Sequence, residues 1–141
     1  LKLLNSGRSP RISAARRHLY PEPRLALGRF LRTKIRASAV IDLSDGLSID
    51  ITKLANASSV AADIDLHSIP RFRGASVDEM IFGGEEYELL FTVRPKVRIP
   101  TTFQGLTLTK IGRIKEGSKI TLRSDDGQRV MRPHGFEHFQ A

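Results

Sequence analysis

The chain contains no cysteine. A disulfide framework, a thiolate metal site and a cysteine nucleophile are therefore excluded. It also lacks an apolar run of the roughly 18 residues that a membrane-spanning helix needs. The opening residues carry no hydrophobic stretch of the signal-peptide kind, so a cytoplasmic location is the expectation. No internal repeat or low-complexity tract interrupts the 141 residues, and a hydrophobic content of 40% is ordinary for a soluble globular protein. At this length there is one domain's worth of chain, enough for a real core.

Acids are scarce in one region only. Residues 1–38 hold ten Lys/Arg and a single acid, Glu22, a balance of +9. Residues 39–141 hold thirteen Lys/Arg and fourteen acids, a balance of −1, so the whole basic excess behind the net charge of +8 lies in the first segment. A basic arm can bind nucleic acid. Here Arg11, Arg16, Arg17, Arg24 and Arg29 are spread through a helix-like segment with Tyr20 as the single aromatic between them. That is the pattern of a solvated helical face, and nucleic acid is not the expected partner.

The stretch Val40-Ile41-Asp42-Leu43-Ser44-Asp45-Gly46-Leu47 carries the chemistry. Val40, Ile41 and Leu43 around Asp42 read as the end of a strand. Ser44-Asp45-Gly46 breaks that pattern, and Leu47, Ile51, Leu54 and Ala55 then recur at helical spacing, with Ser44 or Asp45 as the expected N-cap. A strand that turns into a helix N-terminus offers backbone N–H groups and a positive dipole end to phosphate. Asp42 and Asp45 flank the same turn and would repel phosphate, unless Mg²⁺ sits between them. Magnesium favours one or two carboxylates completed by phosphate oxygens and water.

Elsewhere the chain is expected to begin in the last turn of a helix, which suggests a preceding segment. Helical segments follow at about 10–20 and 24–33, separated by Tyr20-Pro21-Glu22-Pro23. The helix after the turn is expected at about 45–58 and an alternating strand at 60–66, with Asp63 and Asp65 facing away from the core. Ser76-Val77-Asp78-Glu79 has capping-box spacing and opens a short helix to Phe82. A buried strand is expected at 87–93, a weaker one at 106–114, and a hairpin about Asp125-Asp126-Gly127; Pro95 and Pro100 oppose a helix between the first two. This order predicts an α/β (α+β) fold, a mixed β-sheet with helices packed on it.

The second informative stretch is Phe82-Gly83-Gly84-Glu85-Glu86-Tyr87-Glu88-Leu89-Leu90-Phe91, two glycines and three acids at the entry of a strand. Strand ends are where open α/β sheets usually bind ligands. With the first stretch it resembles the C-terminal half of the thiamine-monophosphate kinases, of the aminoimidazole-ribonucleotide-synthetase-like superfamily. Four motifs in order carry the resemblance. Arg17-His18-Leu19-Tyr20-Pro21-Glu22-Pro23-Arg24 is similar to R-H-x-x-P-x-P-R, and Ile41-Asp42-Leu43-Ser44-Asp45-Gly46-Leu47 matches I-D-[IL]-S-D-G-L. The Gly83–Phe91 run is similar to G-G-E-D-Y-E-L-L-F, and Gly135-Phe136-Glu137-His138-Phe139 to G-[WY]-D-H-F.

The resemblance implies transfer of the ATP γ-phosphoryl group to thiamine monophosphate. It places Asp42 and Asp45 on Mg²⁺, Ser44 on the nucleotide, and Glu85 and Phe136 on the thiamine substrate. It further implies residues 1–38 as a basic helical lead-in to the same domain and residues 39–141 as the C-terminal α/β domain. The resemblance also implies that the family's N-terminal ATP-binding domain is absent from this sequence, that the full-length protein is a homodimer and that the chain alone is inactive. The related chemistries of AIR synthetase, selenophosphate synthetase and hydrogenase-maturation proteins share the fold and stand as the alternative, beside a non-catalytic basic binding module.

Two other patterns carry less. Gly112 to Lys119 looks like a phosphate-binding loop, but its Ser-Lys order is inverted and strands surround it. His134 and His138 are spaced i, i+4 like a zinc pair, with no third ligand beside them.

Overall fold

Leu27, Leu31 and Ile35 recur at every fourth residue and give one helix an apolar side. In the computed structural model, which describes residues 20–71, 74–84 and 87–134, α1 spans Leu25–Phe30 and runs on into a π-helical turn, Leu31–Ile35. Arg36 ends it in the left-handed region, and its N–H and that of Ala37 both bond to the Leu31 carbonyl. The buried side meets Leu89, Phe91, Phe103, Leu106 and Leu108, and the Phe30 and Phe103 rings stack at 4.4 Å.

The larger core is built around a four-stranded sheet. β2 (Ala61–Asp65) is one of its two inner strands, antiparallel to β6 (Gly112–Lys115) and parallel to the other, β7 (Ile120–Ser124), and β7 forms the expected hairpin with β8 (Gly127–Val130). Ala62, Ile64, Ile120 and Leu122 pack against Leu47, Ile51 and Ala55 of α2 (Leu47–Ala57) and against Met80 and Ile81 of α3 (Val77–Phe82). α3 opens on the capping box the spacing predicts: the Ser76 hydroxyl accepts from the Glu79 N–H while the Glu79 carboxylate accepts from the Ser76 N–H. The mixed sheet with helices on it is the predicted fold class.

β1 (Ala39–Asp42) and β3 (Leu89–Thr92) form a separate antiparallel pair, with Asp42 opposite Leu89. α1 packs against its Leu89 and Phe91, while Leu90 joins the main core.

Three expectations are corrected. The strand expected at 106–114 is two pieces: β5 (Leu106–Thr107) turns back on β4 (Thr102–Phe103), and β6 starts at Gly112 and pairs with β2. Gln104 and Gly105 both have positive φ, as a two-residue hairpin turn requires. Asp63 is buried, because β6 and β7 flank its strand and cover it with Lys115 at 3.0 Å, Arg113 at 3.5 Å and Thr121 at 3.3 Å, and β8 adds Gln128 at 3.3 Å. The N-cap of α2 is Gly46, with no side-chain cap bond, and neither Ser44 nor Asp45.

Candidate functional site

The reason for that last difference builds the site. Pairing between β1 and β3 continues one step past the strand: the Leu43 N–H bonds to the Glu88 carbonyl (2.8 Å) and the Tyr87 N–H to the Leu43 carbonyl (2.9 Å). Beyond it the chain turns through Ser44-Asp45 and Gly46 (φ 107°) into α2. Asp50, in the first turn of α2 and 1% exposed, reaches back so that Oδ2 accepts the N–H of Ser44 (2.9 Å) and of Asp45 (3.0 Å). An internal carboxylate thus fills the place beside the helix start that phosphate was expected to take.

Lys53, on the next turn of α2, completes the arrangement. Its ammonium is paired with Asp45 Oδ2 and lies 3.3 Å from Asp50 Oδ1. The hydrogen bond to Asp45, more than the one to Asp50, holds the Lys53 pKa above its ordinary value against the opposing effect of burial. Asp42 ends β1 with an exposed side chain, beside a cleft of about 220 Å³ lined by Pro21, Pro23, Arg24 and Tyr87.

The glycine-rich motif is packed directly on this turn. A Cβ on Gly84 would lie 2.7 Å from the Ser44 carbonyl oxygen, and one on Gly46 would lie 3.0 Å from the Phe82 and 3.1 Å from the Gly83 carbonyl oxygens. Glycine is required on both sides because backbone meets backbone. Tyr87 follows in the left-handed region (φ 51°), a conformation that costs a non-glycine residue about 1 kcal/mol or more and clusters at functional sites.

Arg24 and His134, near the two ends of the described residues, pack beside these elements. The Arg24 guanidinium grips Glu88 with Nε at 3.0 Å and Nη2 at 2.7 Å, and this contact is the main reason its pKa is raised. At the other end of the chain, the fully buried Ser48 hydroxyl donates to the His134 carbonyl and accepts from the His134 N–H at 3.2 Å, while the His134 ring stands edge-on to Phe82 at 5.3 Å.

Of the residues singled out in the sequence, Asp42 ends β1, Ser44 and Asp45 form the turn after it with the Gly83-Gly84 segment against them, and His134 packs on Ser48 and Phe82. Glu85 and Phe136 lie outside the described residues, as does His138. The Gly112–Lys119 segment is strand, turn and strand, with no helix after it. Asp50 and Lys53 were missed. Their signal was an acid on the side of α2 that also carries Leu47 and Leu54, where an unpaired charge would be costly.

Asp42 and Asp45 offer carboxylate oxygens, the donor type of a hard divalent cation. Among the described residues no group of three or more His, Asp or Glu is placed to hold a metal, so Asp42 and Asp45 would have to be supplemented by phosphate and water, as magnesium prefers. The Lys53 ammonium stands at Asp45 and compensates its charge.

The chain is 35% identical over 131 residues to the thiamine-monophosphate kinase of Leptospira interrogans, covering 89% of this chain and 42% of that protein. It is 32% identical over 136 residues to the Bacillus subtilis thiamine-monophosphate kinase, at 88% and 42%. Its fold matches the thiamine monophosphate kinase of Aquifex aeolicus with a TM-score of 0.74 at 30% identity, covering 94% of this chain and 46% of that one. The structure described as AaThiL complexed with AMPPCP and TMP matches with a TM-score of 0.80 at 31% identity, over 98% and 46%. The chain thus spans less than half the length of these relatives. Residues 4–125 match the family described as AIR synthase related protein, C-terminal domain, and the chain belongs to that family.

Proposed function

We propose that this chain forms the C-terminal part of a kinase that transfers the γ-phosphoryl group of ATP to thiamine monophosphate, giving thiamine diphosphate and ADP. The observation that carries the reading is the packing of the Gly83-Gly84 segment on the Asp42–Gly46 turn, with Arg24 clasped to Glu88 beside it, in a chain similar in sequence and fold to thiamine-monophosphate kinases. Phosphoryl transfer needs positioning and charge neutralisation more than covalent participation by the protein.

In this reading Asp42 and Asp45 hold Mg²⁺, which when bound neutralises charge between carboxylates and phosphate oxygens. Asp50 fixes the turn that presents Asp45, and it also consumes the Ser44 and Asp45 N–H groups. Phosphate is therefore held by charge at this turn and not by those backbone donors. Ser44 offers the nucleotide its hydroxyl, which makes no hydrogen bond to the described residues. Glu85 and Phe136 are assigned to the substrate on their motifs alone. A carboxylate favours the cationic thiazolium, and an aromatic face adds on the order of 1 kcal/mol.

Residues 1–38 form one domain with 39–141, in keeping with the Arg24–Glu88 clasp. The remaining length found in the relatives supplies the other nucleotide contacts and a homodimer interface, so the 141 residues alone bind substrate without steady turnover. The setting is cytoplasmic; no helix among the described residues is long and apolar enough to cross a membrane.

Calorimetry of the chain in excess Mg²⁺ tests the assignment. Thiamine monophosphate is expected to bind more tightly than thiamine or AMP. Asp42→Asn and Asp45→Asn are each expected to weaken the Mg²⁺-dependent part at least tenfold, the scale seen when a metal's supporting carboxylate is lost. Equal heats from AMP and thiamine monophosphate would refute the substrate. Indifference to both substitutions would refute the metal site.

A further inference from the structure

We infer that Lys53 is a tethered cation with two seats, which holds the metal-binding oxygen of Asp45 until a divalent ion arrives and then retires to Asp50 alone. The inference rests on the metal site proposed above and concerns how that site is filled. Lys53 Nζ contacts Asp45 Oδ2 and stands 3.3 Å from Asp50 Oδ1, so both seats are within reach of a small side-chain rotation. Its side chain is half exposed and free to rotate, whereas Asp50 is fixed: it is 1% exposed and bonded to two backbone N–H groups. A divalent cation on either oxygen of Asp45 would stand within a few ångströms of the Lys53 ammonium, where two positive charges repel. That repulsion drives Lys53 away from Asp45 when the metal enters.

The consequence for the empty site is pre-organisation. With Lys53 present, Asp45 is held over the turn and its charge is compensated beside Asp42 and the buried Asp50. With Lys53 removed, the turn remains bonded through Asp50, and a competitor for the metal is gone. Lys53 is thus a positioning residue that lowers metal affinity in exchange for order.

The test is Mn²⁺ binding to the 141-residue chain, read by calorimetry and by the electron paramagnetic resonance of free Mn²⁺. Lys53→Met is expected to bind Mn²⁺ roughly two- to fivefold more tightly than the natural chain, the worth of a half-exposed ion pair. Lys53→Arg, which keeps the charge, is expected to stay within about twofold of the natural chain. In the unsubstituted protein, Mg²⁺ is expected to shift the side-chain ¹⁵Nζ resonance of Lys53. Equal or weaker Mn²⁺ binding by a folded Lys53→Met chain, or an unmoved ¹⁵Nζ signal at saturating Mg²⁺, overturns the inference while leaving the metal site standing. Absence of Mn²⁺ binding in the natural chain and in both variants overturns the metal site, and the inference with it.

Discussion

Gly84→Ala adds a single methyl group where two backbones already touch. Its Cβ would sit 2.7 Å from the Ser44 carbonyl oxygen and 3.4 Å from the Asp45 carbonyl carbon. Neither atom can be moved by a rotamer change. Ordinary contact distances require the two loops to part by roughly 0.5 Å or more. Gly84 does not have positive φ, so the cost is one of space alone. Overpacking of this kind costs about 1–3 kcal/mol.

Gly28→Ala is the matched control. It places the same methyl group in α1, 3.9 Å from a Leu89 methyl carbon, an ordinary contact. There it removes unfolded-state freedom and should stabilise by about 0.5–1 kcal/mol. For a chain of this size each kcal/mol moves the melting point by roughly 3–6 °C. Thermal unfolding followed by circular dichroism should therefore show Gly28→Ala melting a few degrees above the natural chain and Gly84→Ala clearly below it. The clash also pushes on Asp45, so Mn²⁺ affinity should fall in Gly84→Ala and stay unchanged in Gly28→Ala. A Gly84→Ala protein that melts with the natural chain and binds Mn²⁺ equally well would refute the contact between the two motifs.

Arg24→Lys keeps the charge but loses the two-pronged grip on Glu88, and with Glu88 partly exposed the loss should be about 1 kcal/mol in urea unfolding, with faster proteolysis before Leu25. Unchanged stability and cleavage would show that the lead-in is held by something else. Asp63 governs the acid limb of stability. Its hydrogen bond with Lys115, reinforced by the charges of Lys115 and Arg123 and opposed by burial, lowers its pKa below 3.8. A carboxyl whose pKa is lower when folded binds fewer protons than in the unfolded chain, so its contribution is complete above about pH 4 and is lost as the pH falls below that. Urea unfolding between about pH 3 and 6 should show a shallower acid slope in Asp63→Asn than in the natural chain; parallel curves would remove Asp63 as the cause.

What could be read from the sequence divides by the range of the interaction responsible. The apolar stripe of α2, the Ser76–Glu79 capping box and the Asp125-Asp126-Gly127 hairpin are settled within a few residues, and each stands where its spacing places it. Gln104-Gly105 is equally local, but it lacks the Asn or Asp that usually marks such a turn, so the pairing of β4 with β5 was not foreseen. The burial of Asp63 depends on which strands flank β2, and one of them, β7, lies nearly sixty residues away. Alternation alone cannot supply that neighbour.

The start of α2 shows the same division inside the candidate site. Ser44 and Asp45 have the chemistry of N-caps, and the rule that helix-start N–H groups need an acceptor holds there. The acceptor is Asp50, reached only because the helix buries it. Gly46 and Gly84 were legible as turn residues, yet their positions answer a demand made across the fold, since each leaves room for the other's loop. A motif of this kind is therefore half a statement. Asp42 and Asp45 are placed by the Gly83-Gly84 segment as much as by their own turn, so a substitution in either motif should be read out at the other.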